Sequence, residues 1–502
     1  MTRSVCLITP PSPFLLDERV FMNLGILRVA AVLEREGFKV EMLDLSGISN
    51  YVEAVRDHVA SSEAQEFGIT STTPQLPAAA RISEVIHEVR PNARVILGGP
   101  HATCVHAAFR GEKKRDISGR AGAAMDRLLT MFDVIVAGDG ERAIFTALNS
   151  DAPRVIDADD PRSNLFLSGN ELSQLPTPAR HLVDVDSYHY AVDGVRAVSL
   201  IAQLGCPFGC GFCGGRLSPT FRRVRMRSVE SIIDEMTSLY ETYGFRGFMF
   251  YDDELNVNPQ MVGLMKAISS RAKELGTEFR LRGFVRADLL NDAQAEAMYE
   301  AGFRWMLAGY ESGSPRILKN IQKKTSLEDN TRSIEIARRH GLKVKALMSI
   351  GHPGETEQTT IDTHNWLLAM RPEEFDITII TVYPGTPYYD NAEAHGDVWR
   401  YTINGDHLYS FELDYTQVAD YYKGDPNGGY KAYVYTDELS PADLVSRRDA
   451  MERDVRTKLG LEYNQALPAV LYEHSMGQTG APLPSRILRI SEPARSSSAA
   501  AD

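Results

Sequence analysis

The sequence predicts an α/β protein in which an N-terminal doubly wound parallel sheet is followed by a partial (β/α)6 barrel and an α-rich C-terminal extension. The first observation is that short β-branched runs alternate with amphipathic helical stretches over residues 1–150. The second is that a further alternating series of six such units begins near residue 197. The third is the length of 502 residues, which exceeds what one hydrophobic core usually serves and so predicts at least two domains.

The N-terminal domain is predicted over residues 1–150, because it contains five apolar runs typical of buried strands. These runs are 5–9, 40–44, 67–70, 95–97 and 134–136. Ligands of doubly wound sheets bind at the carboxyl ends of the strands. Small and polar residues stand at those ends, in the segments 10–11, 70–73, 98–103 and 138–141. We therefore expect a cofactor at that edge of the sheet.

The barrel is predicted over residues 194–388, after a linker, 151–193, that is rich in Asp, Pro, Asn and Ser. Its six strand-like runs are 198–201, 247–251, 279–281, 305–307, 344–348 and 377–382. Helical stretches lie between these runs, which favours a partial barrel over a sandwich. Residues 389–475 are predicted to form the extension, with a charged helix near 441–459, and residues 476–502 a disordered tail.

Composition argues against several classes of protein. The formal net charge of −13 and the pI of about 5.5 disfavour a nucleic-acid partner, because phosphate backbones are bound largely through Lys and Arg. No apolar run approaches the ~18 residues that span a bilayer, so we expect a cytoplasmic protein without a membrane partner. Five cysteines are too few for a disulfide scaffold, and three of them crowd into eight positions. This crowding indicates metal chemistry in a reducing compartment.

The three crowded cysteines, Cys206, Cys210 and Cys213, follow the first strand of the barrel at positions i, i+4 and i+7. Glycines between them allow the loop to wrap around one cluster. Three thiolates would bind three irons of a 4Fe–4S cluster and leave the fourth iron open to a further ligand. A zinc knuckle is the alternative, but structural zinc takes four ligands, and no fourth Cys or nearby His completes this loop.

The motif CxxxCxxC, with the aromatic Phe212 before its last cysteine, resembles the radical S-adenosylmethionine (SAM) superfamily. Further matches resemble the subgroup in which a cobalamin-binding-type, Rossmann-like domain precedes the radical SAM barrel. These matches are 98–101, 138–141, 225–228, 252–253, 286–288, 309–314, 351–356 and 384–387. The resemblance implies a 4Fe–4S cluster whose open iron binds SAM and cleaves it reductively to a 5′-deoxyadenosyl radical. It also implies a small-molecule substrate and a reductant such as flavodoxin or ferredoxin.

The same resemblance suggests which residues bind SAM. Phe212 is expected to pack near the adenine. Asp253, Arg286 and Glu311, at strand carboxyl ends, are expected to bind the amino group, the carboxylate and the ribose. Ser312, beside Glu311, is included in the predicted SAM site. Each of these residues taken alone could instead be a helix cap or part of a core ion pair, and no catalytic acid or base is identified.

The predicted cobalamin site lies at the strand ends of the N-terminal domain. The motif Asp-x-His-x-x-Gly, which supplies a histidine to cobalt in other cobalamin proteins, is absent, but the subgroup commonly holds cobalamin without it. The candidate residues are Thr70, Gly98, Gly99, His101, Gly138, Gly140 and Glu141. We interpret His101 as a loop residue rather than a ligand, because Pro100 restricts the loop and no partner for the imidazole is evident. A relic domain that keeps the fold without cobalamin is the alternative.

These features predict a radical SAM enzyme that uses cobalamin to methylate a carbon of a small molecule in natural-product biosynthesis. The alternative is a cobalamin-independent dehydratase, dehydrogenase or epimerase, for which a cationic aminosugar would suit the acidic chain. A third hypothesis, a non-enzymatic corrinoid or iron–sulfur sensor, is disfavoured because no DNA-binding or signalling module is recognisable. Leu204 stands where many relatives carry Arg, which leaves the cluster ligands unaffected but puts one contact near the cluster in doubt.

Overall fold

The computed structural model describes residues 3–12, 18–421, 429–462 and 484–491. The N-terminal domain contains six parallel strands: β1 Ser4–Thr9, β2 Lys39–Asp44, β3 Glu66–Thr70, β4 Arg94–Gly98, β5 Val134–Gly138 and β6 Val155–Ala158. Their order in the sheet is β2-β1-β3-β4-β5-β6. The five predicted strands are confirmed, and β6 is a further strand within the predicted linker. The strand interiors are apolar because helices cover both faces of the sheet.

The helices of this domain are α1 Leu24–Arg35, α2 Tyr51–Ser61, α3 Leu76–Val89, α4 Pro100–Arg115, α5 Arg120–Met131 and α6 Gly140–Ala147. Local sequence accounts for several of their ends. The Asn23 side chain caps α1 by accepting a hydrogen bond from the amide of Ile26 at 3.2 Å. Pro100 stands at the first position of α4, where its missing N–H costs no helical hydrogen bond. These caps place the amino ends of α4 and α6 directly after β4 and β5.

The second sheet is a curled half-barrel of six parallel strands preceded by one short antiparallel strand. The strands are β7 Ala191–Val192, β8 Val195–Leu200, β11 Gly247–Phe250, β12 Arg280–Phe284, β13 Phe303–Glu311, β14 Lys343–Ile350 and β15 Glu374–Ile379. They lie in the order β15-β14-β13-β12-β11-β8-β7. All six predicted barrel strands are confirmed. A single apolar core runs from the first sheet into this one.

Helices and two short strands complete the barrel. The helices are α7 Gly169–Gln174, α8 Pro219–Arg222, α9 Val229–Tyr243, α10 Met261–Glu274, α11 Asp292–Ala301, α12 Pro315–Asn320, α13 Leu327–Arg339 and α14 Glu357–Met370. The short strands β9 Gln203–Leu204 and β10 Arg225–Met226 pair in antiparallel fashion and flank the segment that carries the three crowded cysteines. No helix in the described part of the chain is both long and apolar enough to cross a bilayer.

The C-terminal extension differs from the prediction, because it contains a sheet as well as its one long helix. Its elements are α15 Pro387–Asp390, β16 Glu393–His395, β17 Val398–Ile403, β18 Asp406–Phe411, β19 Val434–Tyr435 and α16 Pro441–Leu459. The four strands form one antiparallel sheet in the order β16-β17-β18-β19. The prediction of an α-rich extension therefore holds only for α16, the predicted charged helix.

The last described segment also corrects the prediction of a disordered tail over 476–502. Strand β20 Leu488–Ile490 pairs antiparallel with β2 and adds a seventh strand to the N-terminal sheet. The Ser491 hydroxyl accepts a hydrogen bond from the amide of Val40 at 2.7 Å and fixes this register. The rest of the predicted tail, apart from residues 484–491, lies outside the described residues.

Candidate active site

The three crowded cysteines lie on a loop, residues 205–214, that leaves β9 beyond the carboxyl end of β8; we call it the cysteine loop. The amide of Cys206 donates a hydrogen bond to the carbonyl of Phe221 at 2.9 Å. The amide of Gly211 donates to the carbonyl of Ile321 at 2.7 Å and so attaches the loop to the end of α12. Gly205 has a φ of +88°, and a Cβ there would lie 2.1 Å from a backbone carbonyl oxygen. The sharp start of the loop therefore requires glycine.

The three cysteine residues differ in exposure. Cys206 and Cys210 are half-buried and Cys213 is exposed. Burial raises the pKa of the Cys206 thiol to about 11, so iron must displace its proton when it binds. The sulfur atoms of Cys206, Cys210 and Cys213 do not all lie within 4.8 Å of one another, as three ligands of one metal ion would. Such spacing suits the separate irons of a cluster better than a single zinc ion.

Phe212, the predicted adenine contact, packs its ring against His352, with 5.3 Å between the ring centres. His352 is fully buried, and its Nε2 lies 2.8 Å from Ser349 Oγ while its Nδ1 lies 3.3 Å from the Tyr388 hydroxyl. Burial lowers the pKa of His352 to about 4, which keeps this imidazole neutral. His352 and Tyr388 were not among the predicted site residues, although His352 lies in the matched segment 351–356.

Glu311, the predicted ribose contact, forms a buried ion pair with Lys323, whose Nζ lies 2.8 Å from Glu311 Oε1. Ser349 donates a hydrogen bond to the other carboxylate oxygen at 2.9 Å. Burial alone would raise the pKa of Glu311, but the Lys323 charge and these hydrogen bonds outweigh it and lower that pKa. Glu311 also has a φ of +63°, which turns the chain sharply at the end of β13. Lys323 is a site residue that the sequence interpretation missed.

Two adjacent carboxylates mark the end of β11. Asp253 Oδ2 accepts a hydrogen bond from the amide of Gly205 at 2.8 Å, while its side chain is exposed beside the cysteine loop. Asp252 is buried and accepts from the amides of Ala202 and Gln203. Burial raises the pKa of Asp252 to about 7. The pair therefore clamps the start of the cysteine loop, and of the two only Asp253 is exposed.

Arg286 and Ser312 differ from the other predicted SAM contacts, because protein groups already engage them. The Arg286 guanidinium stacks on Phe208 of the cysteine loop at 3.5 Å and pairs with Asp288, with Nε and Oδ1 2.7 Å apart. The Ser312 hydroxyl lies 3.1 Å from the Thr363 hydroxyl and is fully buried. Their contact with SAM stays a prediction.

A cavity of about 770 Å³ lies between the two domains, at the carboxyl ends of both sheets; we call it the interdomain cavity. Six of the seven candidate cobalamin residues line it: Thr70, Gly98, Gly99, Gly138, Gly140 and Glu141. A Cβ at Gly98 would meet no atom within 4 Å and would point into open space. Gly138 has a φ of +97°, and a Cβ there would lie 2.4 Å from the carbonyl carbon of Ala158. Gly98 therefore leaves the cavity wall open, whereas Gly138 allows a tight turn.

His101 is the candidate that does not line the interdomain cavity. It is not the predicted loop residue but lies in the first turn of α4, where it is buried and its Nδ1 lies 3.0 Å from Thr73 Oγ1. Burial lowers the pKa of this imidazole to about 3. No histidine occurs among the described residues that line the cavity. The described wall therefore offers cobalt no imidazole ligand.

The other side of the interdomain cavity comes from the barrel and from the cysteine loop. Leu204, Gly214 and Tyr251 line it, together with Cys104 of the N-terminal domain. Cys104 is half-buried and borders the cysteine loop. Most of the wall is apolar, with open backbone at the strand ends, which fits a large ring system that carries amide groups. The residues present fit cobalamin.

Comparisons with known proteins find matches in both domains. The Radical SAM superfamily model matches residues 200–367 and the B12 binding domain model matches residues 18–129. An uncharacterized methyltransferase of Pyrococcus horikoshii is 26% identical over 405 residues, which are 78% of this chain and 83% of that protein. The anaerobic magnesium-protoporphyrin IX monomethyl ester cyclase of Cereibacter sphaeroides is 23% identical over 377 residues, 70% of this chain and 58% of that protein.

A solved structure shows the same architecture. The radical S-adenosylmethionine methyltransferase TsrM from Kitasatospora setae, with tryptophan substrate and the SAM analog aza-SAM bound, has a TM-score of 0.67 and 19% identity, with 96% of each chain covered. At this identity the likeness shows the fold. The Radical SAM superfamily uses a 4Fe–4S cluster and SAM, and the B12 binding domain family binds cobalamin. Each match lies in the domain whose residues fit that cofactor. The chain is a radical SAM enzyme with an N-terminal domain of the B12-binding family.

Proposed function

We propose that this enzyme uses cobalamin to methylate a carbon atom of a small molecule in natural-product biosynthesis. The observation that supports the proposal is the interdomain cavity, which brings the two cofactor domains to one space. Gly98 and Gly138 line it from the N-terminal domain, and Leu204 and Gly214, at the two ends of the cysteine loop, line it from the barrel. A methyl carrier and a radical source would then reach the same substrate.

The residues of the barrel would hold the cluster and SAM. When bound, the cluster supplies the electron that cleaves SAM, and cobalamin supplies a methyl carrier. Cys206, Cys210 and Cys213 are the cluster ligands in this proposal. Of Asp252 and Asp253 only Asp253 is exposed, so it is assigned the SAM amino group. Glu311 is kept anionic by Lys323 and is assigned the ribose hydroxyls.

We assign the remaining predicted SAM residues to contacts with the adenine and to support of the site. Phe212 is assigned the adenine, against which its ring would pack as it does against His352. Arg286 stacks on Phe208 and so would hold the cysteine loop in place for the SAM carboxylate. Ser312 would fix the turn after Glu311 through Thr363. In the N-terminal domain, Thr70, Gly98, Gly99, Gly138, Gly140 and Glu141 would contact cobalamin, and His101 would support their loop.

The electron donor is proposed to be a flavodoxin or ferredoxin of the cytoplasm, a compartment in which free thiols stay reduced. A second candidate function is a radical reaction without methyl transfer, such as dehydration, dehydrogenation or epimerisation. It is supported by the relative from Cereibacter sphaeroides, which is named a cyclase rather than a methyltransferase. A reconstituted enzyme that does not retain corrinoid would favour this second candidate.

Anaerobic reconstitution distinguishes the two candidates. The full chain would be loaded with iron, sulfide and hydroxocobalamin, then given SAM and a chemical reductant. Cobalamin-dependent methylation predicts retained corrinoid, S-adenosylhomocysteine and 5′-deoxyadenosine, whereas Cys210→Ala should form no 5′-deoxyadenosine. Formation of 5′-deoxyadenosine without retained corrinoid or S-adenosylhomocysteine would contradict methylation and leave the second candidate.

A further inference from the structure

A polar cluster outside the active site lies on β1, β2 and α2 of the N-terminal domain, and none of its residues lines the interdomain cavity. Cys6 in β1 and Glu41 in β2 are register partners of the parallel pair, so their side chains project from the same face. Helix α2 packs on that face and contributes His58. The exposed fractions are 0% for Cys6, 2% for Glu41 and 8% for His58. A thiol, a carboxylate and an imidazole therefore meet in a place that water scarcely reaches.

Their ligand atoms converge on one point. Cys6 Sγ lies 3.4 Å from His58 Nε2, and Glu41 Oε2 lies 3.1 Å from the same nitrogen. All three atoms lie within 4.8 Å of one another. Tetrahedral zinc, with bonds of about 2.3 Å to sulfur and about 2.0–2.2 Å to nitrogen and oxygen, would hold such atoms roughly 3.4–3.6 Å apart. The two distances to His58 Nε2 need to change by only a few tenths of an ångström.

The number of protons that Cys6, Glu41 and His58 can share also favours a bound cation between them. His58 Nε2 faces both Cys6 Sγ and Glu41 Oε2, so it can donate its one proton well to only one of them. If Cys6 instead donates to a neutral Nε2, the carboxylate receives nothing from His58. A divalent cation between the three atoms accepts one lone pair from each of them. With a thiolate, a carboxylate and a neutral imidazole, the complex with Zn²⁺ is also uncharged, as a buried site requires.

Neighbouring hydroxyls hold the carboxylate in position. Ser4 donates to Glu41 Oε1 at 2.9 Å, and Ser62 donates to Glu41 Oε2 at 2.6 Å. Such hydrogen bonds orient metal ligands in known sites. The Ser62 hydroxyl is also an oxygen donor next to the point of convergence. Cys104, the other cysteine outside the cysteine loop, belongs to no comparable set among the described residues.

We propose that Cys6, Glu41 and His58, with the Ser62 hydroxyl as the fourth donor, bind one Zn²⁺ ion, which joins β1, β2 and α2 of the N-terminal domain. Sulfur, imidazole and carboxylate together are the donor set that zinc prefers among common divalent metals. Binding converts the Cys6 thiol to a thiolate and releases its proton to solvent. The ion would be structural, since it lies in the sheet interior and away from the strand ends that face the cofactors. This inference does not depend on the proposed methylation.

The test uses the full chain with its cluster reconstituted. The protein would be incubated with Zn²⁺, separated from free metal, and analysed for zinc by mass spectrometry and for ligands by X-ray absorption at the zinc edge. We expect about one zinc per chain with a single sulfur ligand near 2.3 Å and nitrogen or oxygen ligands near 2.0–2.1 Å. Zinc in place of the cluster would show three sulfur ligands and would count against the proposal.

Matched variants locate the ion. Cys6→Ala and Glu41→Gln should each reduce retained zinc at least tenfold, whereas Cys104→Ala should retain as much as the wild type. Glu41→Gln keeps the shape of the side chain, so it decides the question if Cys6→Ala does not fold. Equal zinc in wild type and Glu41→Gln, or a wild-type zinc spectrum without sulfur, would overturn the assignment.

Discussion

Arg225 and Asp139 form a buried ion pair that joins the two cofactor domains, with Arg225 Nη1 2.5 Å from Asp139 Oδ2. Asp139 follows β5 of the N-terminal sheet, and Arg225 lies in β10, paired with Leu204 at the start of the cysteine loop. Arg225 also donates a hydrogen bond to the carbonyl of Leu167 at 3.0 Å, and the Leu167 amide donates to Asp139 at 2.8 Å. The cysteine loop is thus tied to the loop that lines the cobalamin side of the cavity.

The first prediction concerns this pair. Arg225→Ala leaves the Asp139 carboxylate buried without its counter-ion, so the free energy of unfolding should fall by about 3–5 kcal/mol. Urea unfolding of the wild type and variant measures the change. Arg162→Ala breaks the exposed pair with Asp160, where Arg162 is 90% exposed, and should leave stability unchanged. Equal stability of wild type and Arg225→Ala would show that the pair does not join the domains.

The second prediction concerns Gly98. A valine there meets no protein atom at its Cβ and points into the interdomain cavity, so the variant should fold normally and retain at least tenfold less corrinoid. Retention after gel filtration is measured by cobalt content and visible absorbance. Gly263→Val, at an equally open glycine in α10, is the control and should retain corrinoid fully. Full retention by Gly98→Val would place the corrinoid elsewhere.

The third prediction concerns Lys323. Lys323→Met leaves Glu311 buried without its ammonium partner and misplaces the carboxylate assigned to SAM, so the rate of 5′-deoxyadenosine formation should fall by about 10²-fold. The adjacent Lys324 is exposed, and Lys324→Met is the matched control with an unchanged rate. An unchanged cluster spectrum in both variants shows that the loss is one of SAM positioning. A rate within twofold of the wild type would remove Lys323 from the site.

The fourth prediction concerns pH. Burial raises the pKa of Glu355 from 4.5 to about 7, although hydrogen bonds from Thr359 and Gly351 oppose this. Between these values the folded protein keeps a proton that the unfolded chain has lost, so stability falls as the pH rises through this window. Glu355 alone contributes up to about 1.4 kcal/mol per pH unit. In Glu355→Gln the free energy of unfolding, measured with urea at pH 5, 6 and 7, should decline less steeply with pH than in the wild type. The same decline in both proteins would show that the pKa of Glu355 is not raised.

The parallel strands of both domains could be predicted because they are continuous apolar runs buried on both faces. The sheet of the extension was missed, although Asn404-Gly405 between β17 and β18 is a hairpin signal that the sequence displays. Strand β20 has no such local signal. It is a strand only because β2 supplies its hydrogen-bond partners from more than four hundred residues away.

The three cysteines proposed as cluster ligands stand out in the sequence because their chemistry lies in one short motif. Lys323 could not be predicted, since its pairing with Glu311 depends on the turn after α12 that folds the chain back toward the end of β13. The difference between Asp252 and Asp253 was also invisible in sequence. Adjacent residues in extended chain face opposite ways, and only the fold decides which of the two carboxylates the backbone covers.

Strand β20 has a consequence for the order of folding during synthesis. It pairs with β2, so the N-terminal sheet reaches its full width only after residue 490 has left the ribosome. Until then β2 is an open sheet edge, the kind of surface on which strands of other chains pair. Removal of residues 484–502 should therefore increase aggregation during expression more than it changes the chemistry of the folded enzyme.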